Sequence, residues 1–268
     1  MSRSPEELIR DLEASDVLST GSAVATRPRS SAKASTKGKG IAGSTVLLLI
    51  LAVVLVAVVG SLPFGSWALY PFALFVTLVH ESGHAIATLL TGGSVQSIKI
   101  APDLSGLTTS AGGVQALIAP AGYLGATLVG VALLLTPLRF SRWALGALAA
   151  APLAAILLFH PASLFAAAWC VVFAAGLIAA AWKLRPRLRA FLQIFLGVEA
   201  GLNAFRDLMT LLFISGSGAH IHTDAENMSR ALFLPPMVWA VSWTVISVAL
   251  VAAALVVLVR RDLSRLRT

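Results

Sequence analysis

LYPFALFVTLVHESGHAIATLLTGG, residues 69–93, decides how the chain is read. It is apolar over a length that crosses a hydrocarbon core of about 30 Å, yet it carries His80, Glu81 and His84 in its interior. A central acidic side chain costs about 2.5 kcal/mol or more in hydrocarbon, so such groups face a polar site rather than lipid. On a helix His80 and His84 stand i, i+4, and both imidazoles project from one face about one turn apart. That spacing lets two nitrogens bind one zinc ion. Glu81, next to the first of them, can hydrogen-bond a zinc-bound water, take its proton as it attacks a carbonyl and pass the proton to the leaving amine.

The rest of the sequence has the same character. Of 268 residues 57% are hydrophobic and only 12% charged, and the mean hydropathy is +0.87. These values exclude an ordinary soluble domain. Apolar runs of spanning length fall near 43–62, 71–91, 114–136, 143–159, 163–182, 190–213 and 233–259. The expected fold is an all-α polytopic membrane protein with six to seven transmembrane helices. A short β-hairpin should follow the HESGH helix, because Ile98-Lys99-Ile100 alternates like a strand, Pro102-Asp103 makes a turn and LTTS at 107–110 returns. An exposed edge of that hairpin could pair with an extended substrate segment. Gly112, Gly113 and Gly122 allow close approach of the next span.

Three segments follow from composition. Residues 1–41 form a basic, Ser-rich tail, with a short helix at about 5–14 where Ser4, Pro5 and Glu7 give a start signal. Residues 42–260 form the membrane domain, and 261–268 a basic C-terminal tail. The tail is too long, and the span after it too long, for a cleaved signal peptide, so the first span is read as an anchor. The net charge of +8 lies beside spans and not on a folded basic face. It therefore points to the lipid bilayer and to no nucleic acid. With seven spans the basic residues divide almost evenly between the two sides and do not orient the chain. Cys170 is the sole cysteine, so no internal disulfide forms.

Catalytic zinc takes three protein ligands and leaves a position for water, so a third donor must come from elsewhere. Asp207, in FLGVEAGLNAFRDLMTLLF at 195–213, is the strongest candidate. It lies in an apolar segment with Asn203 one turn before it, and an intramembrane aspartate needs a partner. Asp224, in SGSGAHIHTDAENMSR at 215–230, is the alternative, although Thr223 or Asp224 also reads as the N-cap of a following helix. His220 and His222 in the same loop read as solvated residues, and His160 as an interfacial one. Composition alone yields about 0.002 occurrences of H-E-x-x-H in such a chain, so accident is a poor account of the motif.

HESGH inside a span, TGGSVQSIKIAPDLSGLTTSAGG at 91–113, APAGYLGATLVG at 119–130, NAFRD at 203–207 and TDAEN at 223–227 resemble the site-2 protease family of intramembrane zinc metalloproteases, in its small branch without appended domains. The resemblance covers about residues 70–240. It implies one zinc ion per chain held by His80, His84 and Asp207, with Glu81 as catalytic base. It also implies a membrane-protein substrate and a multi-pass location in the cell membrane. Larger relatives carry the third ligand in Leu-Asp-Gly after upstream prolines, whereas Asp207 here is flanked by Arg206 and Leu208, which keeps Asp224 open as a ligand or supporting group. The other class of function compatible with these residues is a non-proteolytic membrane protein, either an inactive relative or a small transporter that keeps the polar cluster.

Overall fold

The computed structural model describes Glu6 and residues 45–159, 163–217 and 222–266. The expected helix at 5–14, apart from Glu6, lies outside the described residues, as do His160 and His220. The described chain is helical apart from one hairpin. Its order is α1 (Thr45–Ser61), α2 (Gly65–Leu90), β1 (Ser94–Ile100), β2 (Gly106–Ala111), α3 (Gln115–Leu135), α4 (Ser141–Phe159), α5 (Leu164–Lys183), α6 (Pro186–Gly216), α7 (Asp224–Leu232) and α8 (Pro236–Leu266). Six of these helices are long and apolar enough to cross a membrane. They make this a multi-pass membrane protein. α1, one of the seven expected spans, is a shorter apolar helix of 17 residues among those described.

Each of the six long helices carries apolar side chains on most of its surface because its solvent is lipid on one side and other helices on the other. The main core lies where α2, α5 and α6 meet. There Phe75 stacks on Phe173 with ring centroids 5.2 Å apart, and Phe72 meets Phe195 edge-on at 4.9 Å. α8 is tied to the start of α1 by Asp262, whose carboxylate accepts the Val46 amide (3.0 Å). That bond satisfies one of the N–H groups an α-helix leaves open at its first turn.

The hairpin forms as expected and lies along α2. β1 and β2 pair antiparallel with Ile98 opposite Thr108 and Ile100 opposite Gly106, and the register shifts between Val95 and Ser97. Ile98 and Ile100 are buried against Leu74 and Leu78 of α2, while Lys99 between them is exposed. The turn is fastened at three points. Asp103 Oδ1 accepts from the Ser105 amide (3.0 Å) and hydroxyl (2.6 Å), and these bonds hold its carboxyl below the usual carboxylate range. The Tyr70 hydroxyl donates to the Pro102 carbonyl (2.6 Å), and Thr77 Oγ1 donates to the Leu104 carbonyl (3.0 Å). The hairpin is thus drawn down the length of α2 past Glu81.

α2 and α3 are in close contact at Gly83. A Cβ there would collide with the Ala121 carbonyl, and one on Gly122 would lie 2.5 Å from Nε2 of both His80 and His84. Only glycine on each helix permits this crossing.

Candidate metal centre

The HESGH turn sits in the middle of the contact between α2, α3 and the hairpin; its two imidazoles are held from α3 and Glu81 from β2. His84 Nδ1 lies 2.8 Å from the Ile118 carbonyl of α3. A carbonyl only accepts, so Nδ1 carries a hydrogen and Nε2 is the nitrogen that faces the cavity. The His80 ring stands edge-on to Tyr123 at 4.5 Å, and Tyr123 stacks on Trp243 of α8 at 5.7 Å. The two imidazole Nε2 atoms are 3.0 Å apart.

The third donor drawn to this pair is Asp224, the alternative in the sequence reading, and not Asp207. Asp224 Oδ2 lies 3.3 Å from His84 Nε2 and 3.4 Å from His80 Nε2. One donor atom from each of the three residues falls within 4.8 Å of the other two, and among the described residues they form the only such group of three or more His, Cys, Asp or Glu. Two local features deliver Asp224. Thr223 is the N-cap of α7, its hydroxyl accepting the Glu226 amide (3.2 Å), so the Asp224 carboxylate is not engaged as a cap. Ala225 and Met228 of α7 are buried against Ala119 of α3, Leu208 and Leu211 of α6 and Trp243 of α8, which brings the α7 start over the imidazoles. Burial acts to raise the Asp224 carboxyl, but the hydrogen bonds and charge of His80 and His84 outweigh it and hold it well below the usual carboxylate range.

Asp207 and Asn203 lie on α6 in the wall of the same cavity, which encloses about 590 Å³. Asn203 is engaged along its own helix: its amide donates to the Glu199 carbonyl (2.9 Å) and its oxygen accepts from Arg206 (3.3 Å). Its place in an apolar segment favours Asp207 in the sequence, but packing of α7 across α3 is what carries Asp224 to the imidazoles. His222 is exposed at the cavity rim.

Glu81 is buried, and its carboxylate is reached from β2. Thr108 Oγ1 lies 2.7 Å from Glu81 Oε2 and 2.9 Å from the Glu81 main-chain carbonyl. Gly106, on the same strand, packs so tightly on the carboxylate that a Cβ would overlap it. Neither Thr108 nor Gly106 was singled out in the sequence, since only the register of the hairpin on α2 makes them neighbours of Glu81. Glu199, buried in α6, also escaped notice, although its place one turn before Asn203 in an apolar segment is the same signal that marked Asp207.

This donor set suits zinc. Two neutral imidazoles and one carboxylate are the ligand types of catalytic zinc, the three donor atoms converge, and the absence of a side chain at Gly122 leaves room at both Nε2 atoms. No curated protein and no solved structure matches the chain. The family model described as Peptidase M50B-like matches residues 45–254, which takes in five of the six long helices, α8 as far as Ala254, the hairpin and every residue of the candidate centre. The chain therefore belongs to the Peptidase M50B-like family.

Proposed function

We propose that the protein is an intramembrane zinc metalloendopeptidase of the cell membrane, hydrolysing peptide bonds in or next to transmembrane segments of other proteins. The observation that carries this reading is the convergence of His80, His84 and Asp224 beside a buried glutamate, Glu81, within helices long enough to span a bilayer. Family membership gives the same direction.

His80, His84 and Asp224 would hold one zinc ion per chain, which supplies a Lewis acid that polarises a carbonyl and acidifies water. The remaining steps fall to the chain itself. Glu81 takes a proton from the attacking water and returns it to the leaving amine, which suits a carboxylate that is not itself in the ligand cluster. The Thr108 hydroxyl holds one carboxylate oxygen and so fixes the direction of the other. The Ile118 carbonyl fixes the His84 ring. β1 pairs with one edge of β2, and Gly106, Leu107, Thr108 and Ser110 of β2 border the cavity. A substrate segment that unwinds there can pair its backbone with that strand, which satisfies groups a helix gives up when it opens.

Zinc content and cleavage together test the proposal. The purified full-length protein should hold one zinc per chain and cut a membrane-segment peptide, and Glu81→Gln should keep the zinc and lose cleavage. Zinc-free protein, purified without chelator, would favour the non-proteolytic reading. Loss of zinc in Glu81→Gln would make Glu81 a ligand and end its assignment as the base.

A further inference from the structure

A second cavity, of about 750 Å³, adjoins the first, and Ala73, Leu104, Asn203 and Asp207 border both. Its remaining wall combines aromatic and charged groups: Trp67 and Tyr70 from α2, Glu199 and Arg206 from α6. Glu199 is 1% exposed, and neither of its carboxylate oxygens meets a partner in hydrogen-bonding geometry; Asn203 and Arg206 are the polar side chains that act on it. The Asn203 amide is engaged by the Glu199 main-chain carbonyl, and Arg206 donates to the Asn203 oxygen. Among the described residues Arg206 forms no ion pair with either Glu199 or Asp207. A carboxyl group left unpaired in the interior of an apolar helix is destabilising, and one that borders a cavity is relieved by whatever cation enters it. With Glu199 and Asp207 against one guanidinium, the wall is formally one negative charge in excess.

We propose that this cavity is a subsite for a lysine or arginine side chain of the substrate segment, with Glu199 as the counter-charge and Trp67 and Tyr70 as flanking rings. The inference deepens the proteolytic reading and rests on it. Charge-assisted hydrogen bonds and cation–π contact both favour such a group over a neutral one of equal size. Membrane segments offer one readily, because basic residues cluster at their cytoplasmic ends. Tyr70 lies ten residues before His80 on α2, about 15 Å along the axis, and Glu199 lies eight before Asp207 on α6, about 12 Å. An extended chain covers that distance in about four residues at roughly 3.3 Å each. The basic side chain thus belongs about four residues from the bond that is cut.

The test uses the full-length, zinc-loaded Glu81→Gln protein in detergent and a fluorescent apolar peptide in which arginine is placed at each position in turn, with citrulline as the uncharged isostere. Fluorescence anisotropy gives the affinity ratio of each arginine peptide to its citrulline twin. One position, or two adjacent ones, should show a ratio of about tenfold. Adding Glu199→Gln should bring that ratio near one, and Glu199→Asp should retain part of it, which separates charge from loss of fold. A ratio near one at every position, or a preference that survives Glu199→Gln, overturns the subsite. The same peptides are given to the protein with Glu81 intact. Arginine preference without any cleavage would uphold the subsite and end the proteolytic reading instead.

Discussion

Thr108 donates its hydroxyl to the Glu81 carboxylate at 2.7 Å, so the hairpin and the HESGH helix meet at the residue assigned as general base. The contact orients Glu81 without touching the imidazoles. Thr108→Val removes the donor at nearly constant volume and should lower kcat by roughly 10- to 100-fold, the scale of a misplaced proton acceptor. Zinc content should be unchanged, and Thr108→Ser should recover most of the activity. A fully active Thr108→Val would show that the bond only anchors the hairpin.

The ligand assignment predicts opposite outcomes for two aspartates. Asp224→Asn replaces a charged donor with a neutral amide and should weaken zinc retention by about 10-fold or more, because the cluster loses its only anionic donor. Asp207→Asn should keep the zinc. Metal analysis after dialysis decides between them, and the reverse pattern would return the role to Asp207.

Gly122→Ala places a methyl group 2.5 Å from both Nε2 atoms. Alanine is the better helix former by about 1 kcal/mol, so the helix itself should persist. The predicted result is a folded protein with little zinc, read from circular dichroism and metal content on one sample. Retention of a full complement would mean that α2 and α3 separate at that crossing without disturbing the imidazoles.

Acidification should release zinc through the imidazoles and not through Asp224. Because the Asp224 carboxyl is held below its ordinary value, it stays charged as the pH falls through about 5. A carboxyl depressed in the folded state contributes stability above its unfolded value and loses that contribution only as the pH falls through the lower, folded value. In metal-free protein the difference in unfolding temperature between wild type and Asp224→Asn should therefore persist from pH 7 down past about 4, where an ordinary carboxyl protonates, whereas bound zinc is displaced by protons at higher pH. Disappearance of that difference at or above about pH 4 would contradict the depressed carboxyl.

The sequence by itself determined the class of fold and half of the centre. Long apolar runs have few solutions in lipid other than helices, because every backbone N–H and C=O must bond within its own segment. His80, Glu81 and His84 were legible for a related reason: their geometry is fixed by helical periodicity over five residues and needs no distant contact. The hairpin was readable from Ile98-Lys99-Ile100 and the Pro102-Asp103 turn, since alternation and turn chemistry are also local. Tertiary structure decided what reaches that turn from afar. Asp224 and Asp207 are 144 and 127 residues from His80 in sequence, and both are acidic residues near apolar surfaces. Only the packing of α7 on Ala119 and Trp243, with Thr223 taking the capping role, brings Asp224 to the imidazoles. Thr108 likewise became a neighbour of Glu81 through the register of β2 and its fastening to Tyr70 and Thr77, a relation that no local pattern encodes.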